Sequence, residues 1–205
     1  MFCLKTREKG LWVIFFYTIA SLLADFAVSS KWGTQNTIRI WNLYTVVEFT
    51  ILSLFFYIVV NVRSLRVLLT LFVIIFYSIF FIQIGKITIQ YNSVLSFFSQ
   101  AIILVLCLTY LFTGMKNNAQ AIDILNPIFI AVVALLLYVA STLFLFIIAN
   151  KLSEKEMNEY WSSITQYSNI LTNVLFSIAF LLDRFQHKPT PIENHPVDFT
   201  SANDR

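Results

Sequence analysis

The chain has 205 residues, of which 58% are hydrophobic and only 12% are charged. An average soluble domain carries roughly 25% charged residues, so the composition excludes an ordinary soluble domain and indicates a chain dissolved in lipid. The net charge of +3 is small, and the sequence contains no basic patch or Arg-rich helix, which argues against a nucleic-acid partner. Cys3 and Cys107 fit neither a CxxC motif nor a zinc-ligand spacing.

Six apolar runs are long enough to cross a bilayer, which takes about 20 residues. Only helices and closed barrels satisfy their backbone hydrogen bonds in lipid, and these runs are continuous rather than alternating. The sequence therefore predicts an all-α polytopic bundle over residues 1–185, followed by a polar, disordered cytoplasmic tail over 186–205. The predicted spans are Leu11–Ser30, Asn42–Val62, Arg66–Ile84, Ser93–Phe112, Pro127–Ala149 and Tyr160–Leu182.

Helix-terminating residues agree with these spans. Asn126 followed by Pro127 is typical of an N-cap and the first helical position. We expect no helix interior to contain glycine, because all four glycines fall at span ends or in links. They are Gly10, Gly33, Gly85 and Gly114.

Lys and Arg residues set the predicted orientation. With the N-terminus inside, the cytoplasmic segments carry eight of them and the outer segments five, leaving out Arg205 at the end of the tail. We therefore expect both termini in the cytoplasm, with the chain in the inner (plasma) membrane. An alternative for the first span is a cleavable signal peptide, since Lys5–Lys9 precede an apolar run that ends in Ala27-Val28-Ser29; five helices would then remain.

Two acids, Asp25 and Glu48, fall well within predicted spans. Intramembrane acids are costly and mark functional sites by default. Counted from the outer span ends at Ser30 and Asn42, both lie roughly 8–9 Å below the outer membrane edge. We therefore expect the two carboxyl groups at one level, with Tyr44 placed one turn before Glu48 to hydrogen-bond it.

Further polar side chains fall at the same predicted level and suggest a binding pocket that opens outward. The alternative is that these groups only join the helices by hydrogen bonds, which are worth about 0.6 kcal/mol each in membrane bundles. The predicted binding residues are Asp25, Asn42, Tyr44, Glu48, Gln83, Gln100, Gln166, Asn169 and Asn173.

Motifs of enzymes are missing from the spans. No predicted helix contains histidine, and HExxH, GxSxG and phosphate-binding loops are absent. We predict no enzyme, no cofactor and no metal site. His187, Glu193 and His195 in the tail could hold a metal, but a solvated tail is the simpler interpretation.

Three functions remain open. The leading hypothesis is a non-enzymatic sensor-like or accessory module in the lipid bilayer, which needs a membrane or cytoplasmic protein partner. The second is a small carrier for a proton, cation or amine that uses Asp25 and Glu48. The third is a structural partner of another membrane protein.

The stretch Trp41–Phe49 carries Asn42, Tyr44 and Glu48 in an N-x-Y-x-x-x-E pattern, ahead of an aromatic-rich apolar helix. This pattern resembles one in a family of small multi-helix membrane proteins of Bacteroidota. The resemblance marks these three residues as the ones to single out.

Features later in the sequence also resemble those of this family. They are the Asn126-Pro127 helix start, the Phe-rich run Leu143–Ile148 and an Asn-rich final span, so the resemblance covers most of residues 11–183. It implies a compact helical bundle with one more helix ahead of the first span. It implies no established activity or substrate.

Overall fold

The structure of the chain is a computed structural model, which describes residues 2–29, 34–60, 62–87, 93–117, 125–148 and 154–186. Nearly all of these residues are helical, and no strand occurs among them. The helices are α1 Phe2–Ser29, α2 Thr34–Val59, α3 Arg63–Ile87, α4 Ser93–Asn117, α5 Pro127–Ile148 and α6 Glu154–Gln186. Each contains a stretch long and apolar enough to cross a membrane. The predicted all-α bundle of six spans is confirmed, and the chain is a multi-pass membrane protein.

Five of the helices enclose the core, and α3 packs at its edge. The most extensive contacts join α1 to α2, α5 to α6 and α4 to α5, while α2 also contacts α4. Fully buried side chains from these helices, among them Ile14, Phe55 and Leu135, fill the centre. The α3 helix packs mainly against α2 and α4, and most of its surface faces away from the bundle.

Several helices extend beyond the apolar runs that predict them. The α2 helix begins at Thr34, eight residues before the predicted start at Asn42, and α6 runs from Glu154 to Gln186. The backbone hydrogen bonds of a helix continue past the end of the hydrocarbon layer. The side chains on that part of the helix can be polar because they reach water. Hydropathy therefore locates the lipid-embedded part of a helix and not its ends.

The expectation about glycine is wrong for Gly10, which lies inside the α1 span. Gly85 and Gly114 lie at the ends of the α3 and α4 spans, as predicted, although both helices continue for a few residues beyond them. Gly33 and the residues after Gln186, including both histidines of the tail, lie outside the described residues.

The predicted start of α5 is confirmed at atomic detail. The Asn126 side-chain oxygen accepts a hydrogen bond from the Ile128 amide at 2.9 Å, and the Asn126 carbonyl accepts the first helical bond from the Ile130 amide at 3.2 Å. Pro127, at the first helical position, has no amide hydrogen to satisfy. Asn126 therefore caps α5 and fixes where it begins.

The first and last helices are joined where the chain enters and leaves the bundle. Arg7 of α1 forms an ion pair with Asp183 of α6 at 2.8 Å and donates to the Gln186 side chain at 2.8 Å. Gln186 in turn donates to the Leu125 carbonyl just before α5 at 3.2 Å. We call Arg7, Asp183 and Gln186 the end clasp. Both ends of the helical bundle thus lie on one side of the membrane, as an even number of spans requires.

Candidate functional site

A single carboxyl group lies at the centre of the bundle. Glu48 is only 3% exposed. It lies nine residues after Arg39 and eleven before Val59, the two ends of the apolar span of α2. At a rise of 1.5 Å per residue, both distances are roughly 15 Å, which places Glu48 near the bilayer midplane rather than in its outer half.

The face of α2 that carries Glu48 turns toward the other helices. Asn42, Thr45, Phe49 and Leu52 are also buried, and their spacing of three and four residues follows one side of a helix. The long apolar side chains on the opposite side contact lipid. Glu48 is therefore held in the core by the same amphipathic pattern that packs α2.

Three other helices bring hydrogen-bond donors to this carboxyl group. The Tyr17 hydroxyl of α1 donates to Oε1 at 3.1 Å, and the Gln100 amide of α4 donates to Oε2 at 3.2 Å. The Tyr138 hydroxyl of α5 also approaches the carboxyl oxygens. We call Tyr17, Glu48, Gln100 and Tyr138 the Glu48 cluster, and through it one side chain joins four helices.

A second set of polar contacts lies beside the cluster. The Tyr44 hydroxyl lies near those of Tyr17 and Ser21, so it contacts the hydroxyl groups of α1 instead of forming the predicted bond to Glu48. Thr45 of α2 and Ser96 of α4 lie 3.3 Å apart through their hydroxyl oxygens. The Thr45–Ser96 and Glu48–Gln100 pairs have nearly the same sequence offset, which shows that α2 and α4 run parallel here.

The groups around Glu48 are neutral: two phenols and one amide. An intramembrane acid is costly when charged and isolated, and hydrogen bonds from neutral donors offset only part of that cost. The carboxyl group is therefore chemically suited to take up a proton or a cation.

Two buried polar atoms of α4 lack a hydrogen-bond partner among the described residues. They are the Gln100 side-chain oxygen and the hydroxyl of Ser99, and both atoms are fully enclosed. Unsatisfied buried polar atoms are uncommon and call for an explanation. Gln100 thus uses its amide nitrogen to bind Glu48 while its oxygen remains unused.

No family model, curated protein or solved structure matches this chain. The chemistry of the Glu48 cluster therefore follows from its own geometry. Within the described ranges, no group of three His, Cys, Asp or Glu side chains is placed to hold a metal ion.

The structure separates the predicted binding residues into three groups. Buried in the core are Asn42, Tyr44, Glu48 and Gln100. Half-buried are Gln83 and Asn169, whereas Asp25, Gln166 and Asn173 are exposed on the bundle surface. Among the α6 side chains that the structure describes, the buried polar one is Thr172, which donates to the Ala134 carbonyl at 3.4 Å.

The register between α1 and α2 separates the two acids. Tyr17 lies opposite Glu48, and Asp25 follows Tyr17 by eight residues, or roughly 12 Å along the helix. The predicted common level of Asp25 and Glu48 is therefore wrong. The physical reason is that the apolar span of α2 begins at Arg39 and not at Asn42, which places Glu48 about one turn deeper, whereas Asp25 lies only three residues from the end of the α1 span at Val28.

Tyr17 and Tyr138 are the functional candidates that the sequence analysis missed. Both lie in the middle of strongly apolar spans, where an aromatic residue is easily taken for core packing. The only sequence feature that could have identified them is the hydroxyl group, which needs a hydrogen-bond partner when it is buried in the membrane.

Proposed function

We propose that the chain is a non-enzymatic sensor module of a bacterial inner membrane, with both termini in the cytoplasm and Glu48 as its responsive group. The observation that supports this proposal is the carboxyl group at the bilayer midplane, which is contacted by donors from α1, α4 and α5. Any change in the state of this group alters contacts among four helices at once.

A proton is the simplest signal for this site. A carboxylate accepts hydrogen bonds only, whereas a protonated carboxyl group also donates one. If the proton sits on Oε2 of Glu48 and points toward Gln100, the amide rotates to present its oxygen, which has no partner among the described residues when the carboxylate is charged. Protonation is thereby coupled to the contact between α2 and α4, and a bound cation would act on the same oxygens.

The response requires a second protein. The described residues form membrane-spanning helices, and a change in their packing becomes a signal only when another protein contacts them. We propose that a membrane or cytoplasmic partner reads the position of α4 relative to α2.

The first test measures thermal unfolding of the detergent-purified protein from about pH 5 to about pH 8. Wild type is compared with Glu48→Gln, which keeps the size of the side chain and removes its ionisation. We expect the difference in midpoint temperature between the two proteins to change with pH. Glu8→Gln is the matched control, because Glu8 is exposed at the start of the bundle; its difference from wild type should stay constant.

A second measurement tests whether titration of Glu48 moves α4. Cys107 lies seven residues after Gln100 on the same helix face and is fully buried. In a Cys3→Ser background, the labelling rate of Cys107 by a small thiol reagent reports on the packing of α4. At each pH we divide the Cys107 labelling rate of Glu48→Gln by that of wild type. This ratio cancels the pH dependence of the thiol itself.

We expect this ratio to change severalfold over the same pH range. A ratio that is constant with pH, together with parallel unfolding profiles, would show that Glu48 only joins helices and would overturn the proposal.

A carrier is the second candidate, because substrate sites of secondary transporters also lie near the bilayer midplane. Proteoliposomes distinguish the two functions. A carrier moves protons or a labelled cation across the vesicle membrane without any partner, and Glu48→Gln abolishes the movement. A sensor module gives no flux above that of empty vesicles.

A further inference from the structure

A slot lies between α2 and α3 on the surface of the bundle. It has a volume of about 250 Å³, and its accessible surface is almost entirely apolar. Thr50, Leu54 and Tyr57 on one wall and Thr70 on the other are exposed, so the slot opens sideways. Because these residues belong to the spanning parts of α2 and α3, the opening faces lipid. The slot is lined by Phe49, Thr50, Ser53, Leu54, Tyr57, Leu69, Thr70, Val73 and Tyr77.

Both ends of the slot are closed by specific contacts. At the bilayer midplane, the Phe49 and Phe76 rings stack with centroids 3.9 Å apart, and the Thr50 and Tyr77 hydroxyl oxygens lie 2.7 Å apart. At the other end, Arg66 donates through Nε to the Val60 carbonyl at 2.8 Å. Between these two sets of contacts, the slot separates α2 from α3.

The slot extends over most of one leaflet of a bilayer. Its lining residues on α2 run from Phe49 to Tyr57, which is eight residues or roughly 12 Å, against about 15 Å for half of the ~30 Å hydrocarbon core. The slot therefore runs from the midplane toward the membrane surface at which α3 begins. A single hydrocarbon chain has a matching length and an apolar surface.

Positive charge marks the end of the slot that lies at the membrane surface. Arg63 is exposed at the start of α3, and the Arg66 guanidinium lies 5.4 Å from the centre of the Tyr57 ring. Guanidinium groups bind phosphate oxygens with paired N–H donors, and a guanidinium has enough donors to hold a carbonyl and an anion together.

We infer that this slot binds one acyl chain of an anionic phospholipid, whose phosphate lies on Arg63 and Arg66. The lipid would fill the space between α2 and α3 and fix α3, which has few other contacts with the bundle. This site is separate from the Glu48 cluster, and either proposal can fail without the other.

The test is native mass spectrometry of the detergent-solubilised protein after incubation with phosphatidylglycerol or with phosphatidylcholine of the same chains. We expect one phosphatidylglycerol per protein to be retained in preference to phosphatidylcholine. Arg63→Gln should lower its retention by roughly fivefold, the factor that corresponds to about 1 kcal/mol for one cationic residue near an anionic headgroup. Arg39→Gln, the same change at the other end of α2, should leave retention unchanged.

The apolar part of the site is tested separately. Ser53→Leu adds volume inside the slot and should reduce retention of both lipids. Ser78→Leu is the control, because Ser78 is exposed on α3 and does not line the slot.

Equal retention of the two lipids, unaffected by Arg63→Gln, would overturn the inference. This result depends on a surface substitution and therefore holds even if Ser53→Leu prevents folding. If phosphatidylcholine binds as well as phosphatidylglycerol and only Ser53→Leu removes it, the slot takes any lipid chain and the role of the arginines is wrong.

Discussion

Tyr17 contributes two separable interactions at the residue scale. Its ring packs edge-on against Phe176 of α6, with centroids 6.1 Å apart at 90°, while its hydroxyl donates to Glu48. The apolar ring suits the membrane interior and the hydroxyl needs a partner there. Removing the hydroxyl alone therefore reports on the hydrogen bond and leaves the ring packing in place.

Tyr17→Phe should lower the free energy of unfolding by about 1–3 kcal/mol, because it leaves a buried carboxyl oxygen with one donor fewer. The measurement is unfolding of the purified protein by SDS titration in mixed micelles, followed by circular dichroism. Tyr167→Phe is the matched control, since Tyr167 is 74% exposed; its effect should be within error. Equal losses in the two variants would mean that the Tyr17 hydroxyl contributes nothing specific.

Gly10 determines how closely three elements approach. A Cβ atom added there would lie 3.0 Å from Ile128 Cδ1 of α5 and 3.0 Å from Val59 Cγ2 of α2. Gly10 thus lies in the interior of α1 because α1 meets both neighbours at this point. The expectation that glycine only ends helices missed this role, since a close approach between helices leaves no local sequence pattern.

Gly10→Val should lower the free energy of unfolding by about 1–3 kcal/mol through overpacking. Gly114→Val is the control at a helical glycine, because a Cβ at Gly114 would meet nothing within 4 Å. Its effect should be close to zero. The same SDS titration compares both variants with wild type, and a Gly10→Val protein as stable as Gly114→Val would contradict the tight contact.

The sequence predicts the elements better than it predicts their register. Hydropathy locates all six spans because the lipid requires apolar side chains there. It does not locate helix ends or the exact limits of a span, and the α2 span begins at Arg39 and not at Asn42, so that Glu48 lies deeper than predicted. Periodicity likewise places Gln166, Asn169 and Asn173 on one side of α6, but does not tell whether that side faces the core or the surface.

The candidate site shows the same limit. Glu48, Gln100, Asn42 and Tyr44 could be selected because polar side chains stand out in apolar spans. Which of them meet depends on tertiary packing, and Asp25 stands out equally but lies on the surface.

At the scale of the whole molecule, the end clasp joins the beginning of the bundle to its end. Arg7 and Asp183 are separated by most of the chain, and their side chains are only 17% and 23% exposed. Gln186 extends the clasp to the Leu125 carbonyl ahead of α5. Direct contacts between α1 and α6 are otherwise few, so the clasp is the main polar link that closes the bundle at this membrane surface.

A double-mutant cycle measures this closure. Arg7→Gln and Asp183→Asn should each destabilise the protein, and the double variant should lose less than the sum of the two. The coupling energy should be between about 0.5 and 3 kcal/mol, as for partly buried charges in direct contact. A parallel cycle with Arg39→Gln and Asp183→Asn serves as the control, because Arg39 lies at the opposite end of the bundle. Its coupling should be near zero, and an equally small value for Arg7 with Asp183 would mean that the first and last helices are held together by apolar packing alone.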